Sequence, residues 1–196
     1  MDIVSKMRDE IIKRSNEFEA KTKGTKDEYN IYNEHIRYVY DYVVKISKDY
    51  DVDLEVLEIS ALLHDISMTD SSLDRSKHNE YGSVIAGELL RENGYPEDKI
   101  EFVKKCILNH SSSRATYRTT LEEEILVTAD GLSHFDSIPS LYSFATKVKG
   151  MSRLYGINFV REKLTKDYNE IRDEIKYLVK DKYDTIMNCD NINDIV

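Results

Sequence analysis

Residues that break or terminate helices are scarce in this sequence. The 196-residue chain contains seven glycines and only two prolines, Pro96 and Pro139, whereas a many-stranded sheet needs turn residues between its strands. Leu, Ile, Lys, Glu and Tyr recur instead at intervals of three and four residues, the spacing that places side chains on one face of an α-helix. The sequence therefore predicts an all-α fold.

The same spacing predicts where the helices lie. Helices are expected over about 3–24, 27–50, 54–64, 78–93, 96–110 and from Leu121 onward. The third is almost entirely apolar in its last two turns, so we expect it to be buried on most sides and to end at His64-Asp65. After Pro139, one short helix and one long charged helix from about Asn158 to Met187 are predicted.

Charge and cysteine content exclude several classes of protein. Lys and Arg number 28 and Asp and Glu 37, a formal net charge of -9, which argues against binding to a nucleic-acid scaffold or an anionic membrane. No apolar stretch is long enough to span a membrane, and the N-terminus lacks a signal-peptide core. Two cysteines are too few for a disulfide framework or a thiolate zinc site. We expect one cytoplasmic domain over residues 1–196.

Histidine and aspartate side chains fall on the apolar faces, or at the ends, of the predicted helices. The residues in these positions are His35, His64, Asp65, His78, His110 and Asp130. Burying them together without a partner would cost on the order of 1 kcal/mol or more for each group. A divalent cation compensates such a cluster, and mixed imidazole and carboxylate donors suit Mn, Fe, Co, Ni or Zn better than Mg. One or two ions are expected.

The order of these residues resembles that of the HD superfamily of metal-dependent phosphohydrolases. The family order is His, His-Asp, then often two further His, then Asp, and the similarity covers about residues 30–135. The segments Ile-Leu-Asn-His-Ser and Ala-Asp-Gly-Leu are similar to those of small stand-alone HD hydrolases. The resemblance implies an all-α HD-domain bundle with a central metal site.

The resemblance also implies roles for individual residues. It assigns His35, His64, Asp65 and Asp130 to a first metal, and His78 and His110, with Asp65 shared, to a second. Asp65 is then the catalytic residue at the centre of a dinuclear site. The implied function is hydrolysis of a phosphomonoester or phosphodiester, such as a nucleotide or another small phosphate ester, by a metal-activated hydroxide.

The residues that would bind the phosphate are less well marked. Several HD subgroups continue His-Asp-Ile-Gly-Lys, but here Ser67 and Met68 follow Ile66, so a lysine that could hold phosphate is missing. Arg75, Lys77 and Arg114 flank His78 and His110 in loop-like sequence and are the predicted substrate-binding residues. For each, a solvated surface side chain is the alternative.

Three residues are candidates for the proton donor to the leaving group. Asp70 and Asp74 follow the His-Asp pair closely, and His134 lies one helical turn after Asp130. Loop capping by the two aspartates and a partly exposed His134 are the simpler interpretations.

Two other functions remain open at the level of the sequence. Diiron HD-type oxygenases use the same six-ligand pattern to activate dioxygen, and a regulatory HD module would bind a nucleotide without turnover. The amphipathic first helix and the long last helix would either complete the bundle or build a homodimer, because periodicity is the same in both cases.

Overall fold

The computed structural model describes residues 2–189, apart from the side chains of Ser112, Ser113 and Thr116. Within this part of the chain every regular element is helical, which confirms the predicted all-α class. The α-helices are α1 (Ile3–Thr22), α2 (Arg37–Ile46), α3 (Leu54–Leu63), α4 (His78–Glu92), α5 (Glu97–Asn109), α6 (Leu121–Ser133), α7 (Ile138–Ser143), α8 (Arg153–Glu170) and α9 (Lys180–Asn188). No helix in the described ranges is long and apolar enough to cross a membrane.

Short helical turns extend or join several of these helices. Turns of 3₁₀ type lie at Ser47–Asp49, Ile66–Thr69, Arg75–Lys77, Ser112–Tyr117 and Asp173–Leu178. Two π-helical turns, Tyr32–Ile36 and Phe144–Val148, precede α2 and follow α7. A π-helical turn widens the helix locally and is often found at functional sites, and the first of these two contains His35.

Helix boundaries follow from local capping chemistry. The Asp2 carboxylate accepts a hydrogen bond from the Ser5 amide at 2.8 Å at the start of α1, and Asp53 accepts one from the Val56 amide at 3.1 Å at the start of α3. Thr120 and Glu123 form a capping box at the start of α6. Gly94, with φ of 71°, follows α4 in the left-handed conformation that glycine tolerates.

Helix α3 lies in the middle of the packing arrangement. It contacts α1, α2, α5 and α6, and its residues from Ile59 to Leu63 are completely buried, as the apolar sequence predicts. Helix α4 packs on α5, and α8 packs on α6 and α7. One hydrophobic cluster extends from Met7 in α1 to Ile186 in α9. A single domain over residues 1–196 stays a prediction, and Met1 and residues 190–196 lie outside the described residues.

Two predicted helix boundaries are wrong. The second helix does not begin near Lys26, because the Asn30 side chain accepts a hydrogen bond from the Asn33 amide at 3.1 Å, which starts the helix there. The long helix over 158–187 is interrupted at Ile171, where the backbone is extended. The turn brings the buried Ile171 side chain against Gly131 in α6, where a Cβ atom would lie 3.4 Å from it.

Candidate metal centre

The six histidine and aspartate residues selected from the sequence come together at the ends of several helices. His64 and Asp65 follow α3, His78 begins α4, and His110 follows α5. Asp130 lies in the last turn of α6 and His35 in the π-helical turn before α2. The close approach of α4 to the end of α3 requires Gly82, because a Cβ atom there would lie 2.9 Å from the His64 carbonyl oxygen.

Three of the histidines are held in the same way by a local backbone carbonyl. The Nδ1 atoms of His64, His78 and His110 face the carbonyl oxygens of the residues three positions earlier, Ala61 at 2.8 Å, Arg75 at 3.0 Å and Ile107. A carbonyl oxygen only accepts hydrogen bonds, so each Nδ1 carries the proton. Each Nε2 is therefore left with a free lone pair in the neutral ring.

His35 has the same tautomer for a different reason. Its Nδ1 lies 3.2 Å from the Ser133 hydroxyl oxygen. The Ser133 hydroxyl donates its own hydrogen to the Asp130 carbonyl oxygen at 2.7 Å. Its oxygen is thus free to accept from Nδ1 of His35, and the Nε2 atom of neutral His35 also carries a lone pair.

The four Nε2 atoms face one another in two pairs. Nε2 of His35 lies 3.1 Å from Nε2 of His64, and Nε2 of His78 lies 3.2 Å from Nε2 of His110. Two lone pairs cannot form a hydrogen bond, so each pair of neutral rings needs a positive charge between or beside its nitrogens. A metal cation or a proton satisfies this requirement.

Asp65 lies between the two histidine pairs. Its Oδ2 atom is 3.7 Å from Nε2 of both His35 and His64, and its Oδ1 atom is 3.7 Å from Nε2 of both His78 and His110. The Oδ1 atom is buried and has no hydrogen-bond partner among the described residues. A buried carboxylate oxygen without a partner is costly, and this arrangement suits a carboxylate that bridges two cations.

Asp130 completes the donor set on the side of His35 and His64. Its Oδ1 atom lies 3.1 Å from Nε2 of His35 and 3.9 Å from Nε2 of His64. Donors bound about 2.0–2.2 Å from one ion lie about 3.0–3.5 Å apart, so the separations in both halves are close to those of a loaded site. Candidate metal groups in the described residues include His35, His64 and Asp65 on one side and Asp65, His78 and His110 on the other.

The ionisation of these side chains also favours a cation. Burial opposes the charge of Asp65, but the surrounding imidazoles lower its pKa to about 2. Burial lowers the pKa of His110 to about 4 and lowers that of His64. Burial acts in the same direction on His35, but hydrogen bonding to Asp130 outweighs it and raises the pKa of His35. A proton on His35 therefore competes with a metal ion for the same donors.

A cavity of about 350 Å³ opens onto this centre. Five of the six selected residues line it, all except His64. The cavity lining also includes an apolar wall formed by residues of α7, the π-helical turn that follows and α8, namely Leu141, Phe144, Val148 and Phe159.

The three predicted substrate-binding residues do not all line the cavity. Arg75 lines the cavity and pairs with Asp27, with 3.3 Å between its Nη2 atom and Oδ1. The structure does not bring Lys77 or Arg114 into the cavity lining. Lys77 is exposed. Arg114 lies 3.4 Å from Glu80 and stacks on Tyr117, and these contacts hold its side chain outside the cavity lining.

The three candidate proton donors also lie in different surroundings. Asp70 and Asp74 accept hydrogen bonds from the Ser72 and Ser76 amides, both at 2.9 Å, and thus cap surface turns as the simpler interpretation predicts. The expectation of a partly exposed His134 is wrong. The residue is 8% exposed, and its ring stacks on that of His35 with a centroid separation of 5.0 Å, because α8 covers the end of α6.

Sequence reasoning missed three charged residues of α8 that line the cavity, Lys163, Asp167 and Glu170. Lys163 donates a hydrogen bond to Asp167 at 2.6 Å, and the other oxygen of Asp167 lies 3.0 Å from Nδ1 of His134. The sequence signal is a Lys and an Asp four residues apart, which is common on exposed helix surfaces and does not indicate a site.

Comparisons with known proteins agree with this geometry. The HD domain family matches residues 32–134, slightly more than half of the chain. The cyanamide hydratases DDI2 and DDI3 of Saccharomyces cerevisiae are each 32% identical to this chain over 123 residues. The match covers 55% of this chain and 55% of each relative, so it spans about half the length of these curated proteins. No solved structure matches significantly. The family match contains all six selected residues, and the chain belongs to the HD domain family.

Proposed function

We propose that this protein is a metal-dependent phosphohydrolase that cleaves a small phosphate ester in the cavity beside Asp65. One observation carries the proposal. Two pairs of inward-facing Nε2 atoms lie on either side of Asp65, and each of its carboxylate oxygens faces one pair at 3.7 Å. A buried carboxylate between two sets of neutral imidazoles is a donor arrangement for two divalent ions.

The ligand assignment follows from the contacts already described. The proposed ligands of the more buried ion are His35, His64, Asp65 and Asp130. The proposed ligands of the second ion are His78, His110 and Asp65. The mixed nitrogen and oxygen donors suit Mn, Fe, Co, Ni or Zn, and suit Mg less well. Such ions supply Lewis-acid activation of a phosphoryl group and of the attacking water.

The contribution of the chain itself is positioning. Backbone carbonyls fix three of the imidazoles through Nδ1, and Ser133 fixes the fourth. The rings are thus oriented before any ligand arrives, so little reorganisation accompanies binding. The Asp65 carboxylate, with its pKa lowered to about 2, remains charged at neutral pH between the two sets of donors.

The cavity supports a small ester as the substrate. Its volume of about 350 Å³ is near the lower end of small-molecule sites, which span about 300–1,000 Å³. The proposed metal ligands in the lining are suited to a phosphoryl group, and Phe144 and Phe159 in the same lining are suited to an organic group. The net charge of -9 disfavours a nucleic-acid scaffold, so we propose a free nucleotide or another small phosphate ester.

A second candidate is hydration of a small nitrile. The sequence identity of 32% to two cyanamide hydratases favours it. Cyanamide has three heavy atoms and no charge, so it would leave most of the cavity empty and would not use the cations that line it, Lys26, Arg75 and Lys163. The cavity thus favours the charged ester over the nitrile.

The first experiment is elemental analysis of the protein purified without chelators, followed by three assays with Mn, Fe, Co, Ni or Zn added. These measure phosphate release from nucleoside monophosphates and aryl phosphates, urea formation from cyanamide, and oxygen consumption. Metal-dependent phosphate release supports the proposal. Urea formation without phosphate release would establish the second candidate instead, and oxygen consumption would indicate an oxygenase. A protein that binds no metal, or that is stabilised by a nucleotide without cleaving it, would contradict both hydrolytic functions.

A further inference from the structure

Lys163 is a cation of the cavity that lies outside the residues matched to the HD family. It lies on α8 and lines the cavity together with five of the proposed metal ligands. Its side chain is 32% exposed, and its Nζ atom donates to Oδ1 of Asp167 at 2.6 Å. The same Nζ atom lies 3.4 Å from Nδ1 of His134.

The ammonium group of Lys163 has hydrogen-bonding capacity to spare. An ammonium group carries three donors. One is used by Asp167 and a second faces His134, while the third has no partner among the described residues. Since the side chain lines the cavity, this donor is available to a ligand there.

Lys163 lies near the proposed metal centre, because it faces His134, which stacks on His35. Burial disfavours its charge, but Asp167 and Asp130 outweigh this effect and raise its pKa, so it remains a cation. Conversely, its charge contributes to lowering the pKa of Asp130. Two other cations line the cavity, Lys26 and Arg75. Arg75 pairs with Asp27, and Lys26 is an exposed side chain, whereas Lys163 is held in place by Asp167.

Lys163 also lies beside the apolar wall. Phe159 precedes it by four residues on α8, a spacing that places both side chains on one face of the helix, and both line the cavity. The cation thus shares the cavity with Phe159 and faces His134, which stacks on His35.

We propose that the Lys163 ammonium group binds a phosphoryl oxygen of the substrate, while Phe159 contacts the organic group. This inference rests on the proposed phosphohydrolase function. Lys163 would take the place of the phosphate-binding lysine that is missing after the His-Asp pair. It comes from a helix about a hundred residues further along the chain. Asp167 orients the ammonium group and competes with the phosphate for it.

Inorganic phosphate is the probe for this proposal. Its binding to the metal-loaded protein is measured by calorimetry and by competitive inhibition of the hydrolase reaction. We expect Lys163→Met to raise the dissociation constant by about 10- to 100-fold, as the loss of a charge-assisted hydrogen bond predicts. Lys166→Met is the matched control, because Lys166 is exposed on the same helix. It should bind phosphate within about twofold of the parent protein.

The variant Asp167→Asn separates a binding role from a structural ion pair. If Lys163 binds phosphate, removing the competing carboxylate should tighten phosphate binding. If the pair only stabilises α8, Asp167→Asn and Lys163→Met should weaken binding alike, and that result would overturn the proposal. The same holds if Lys163→Met binds phosphate as tightly as the parent protein.

Failure of this inference is distinguishable from failure of the proposed function. A parent protein that neither binds phosphate nor releases it from esters contradicts both. A parent protein that releases phosphate but is unaffected by Lys163→Met contradicts the role of Lys163 alone. If Lys163→Met does not fold, the double variant Lys163→Met with Asp167→Asn removes both charges, so no buried charge is left unpaired. Loss of phosphate binding with unchanged metal content is then the expected result.

Discussion

Two groups of residues that line the cavity come from different parts of the chain and differ in character. The metal side, from His35 to Asp130, consists of polar donors whose orientations are fixed by backbone carbonyls and by Ser133. The apolar wall, formed by Leu141, Phe144, Val148 and Phe159, lies beyond the residues matched to the HD family. Under the proposed function, the metal donors would thus come from the HD family match, and Phe144 and Phe159 would contribute substrate contacts from beyond it.

This separation has a measurable consequence. Variants on the metal side should change metal content and kcat, while variants of the wall should change KM and leave the metal content unchanged. A wall variant that loses metal, or a metal-side variant that changes only KM, would contradict this division of roles between the two groups of residues.

The largest effect is expected for Asp65→Ala. Both of its oxygens face histidine pairs at 3.7 Å, so its removal takes a ligand from both proposed ions. We expect loss of both ions by elemental analysis and a fall in kcat of about a thousandfold or more. Asp70→Ala is the control, since Asp70 is exposed and caps a turn nearby. Retention of two ions by Asp65→Ala would contradict the bridging role.

The next effect is expected for His110→Ala, which removes a donor from one half of the centre only. The protein should lose about one ion per chain and keep the ion held by His35, His64 and Asp130, because these donors are untouched. Elemental analysis and titration with Mn or Co measure the change. Asp130→Ala is the reciprocal variant and should lose the other ion. Complete loss of metal in both variants would show that the two halves do not bind independently.

A smaller effect is expected for Phe159→Ala in the apolar wall. Loss of an aromatic contact should raise KM by about tenfold for esters with an apolar organic group, with kcat and metal content nearly unchanged. Tyr155→Ala is a matched control, because Tyr155 lies on the same helix and is 70% exposed. If kcat falls and KM does not change, Phe159 does not contact the substrate in the way proposed.

The smallest effect on the reaction is expected for the Glu123→Gln variant. Glu123 lies behind the residues of the metal side. The buried Glu123 carboxylate accepts hydrogen bonds from Asn109 at 2.6 Å and from the Thr119 amide at 2.9 Å, and so ties the end of α5 to the start of α6. Burial opposes its charge, but these hydrogen bonds outweigh burial and lower the pKa of Glu123 below its ordinary 4.5. We expect Glu123→Gln to lower the free energy of unfolding at pH 7 by about 1–3 kcal/mol.

The pH dependence of this loss has a definite sign. Because the folded pKa of Glu123 is lowered, its contribution to stability is complete above the unfolded value of 4.5 and is lost as the pH falls through the folded value. Urea unfolding at pH 7 and at successively lower pH should therefore show a gap between parent and variant that narrows in acid. A constant gap would exclude this role for Glu123.

Much of the fold and of the metal side is predictable from local sequence. Seven glycines, two prolines and a three-to-four residue apolar spacing predict helices because helix periodicity is a local property. Helix α3 is almost entirely apolar in its last two turns, and these turns are buried as expected. The His-Asp order is also readable, since histidines at helix ends find a carbonyl three residues earlier without help from distant parts of the chain.

Other features depend on contacts between distant residues. The start of the second helix is set by Asn30, which also donates to Asn16 and Glu19 of α1. The break at Ile171 follows from its packing against Gly131 in α6. Hydrophobic periodicity indicates neither the contacts of Asn30 with α1 nor the contact of Ile171 with Gly131. The sequence therefore predicts a longer helix in both places.

The sequence by itself determined the helical class, the family and the six donors proposed for the metal ions, because each depends on residue type and on short-range spacing. Tertiary structure decided what surrounds those donors. It brought α8 over the end of α6, which buries His134 and places Lys163, Asp167 and Phe159 at the cavity. The physical reason is that a charged or aromatic residue on an amphipathic helix becomes part of a site only through the helix packed against it.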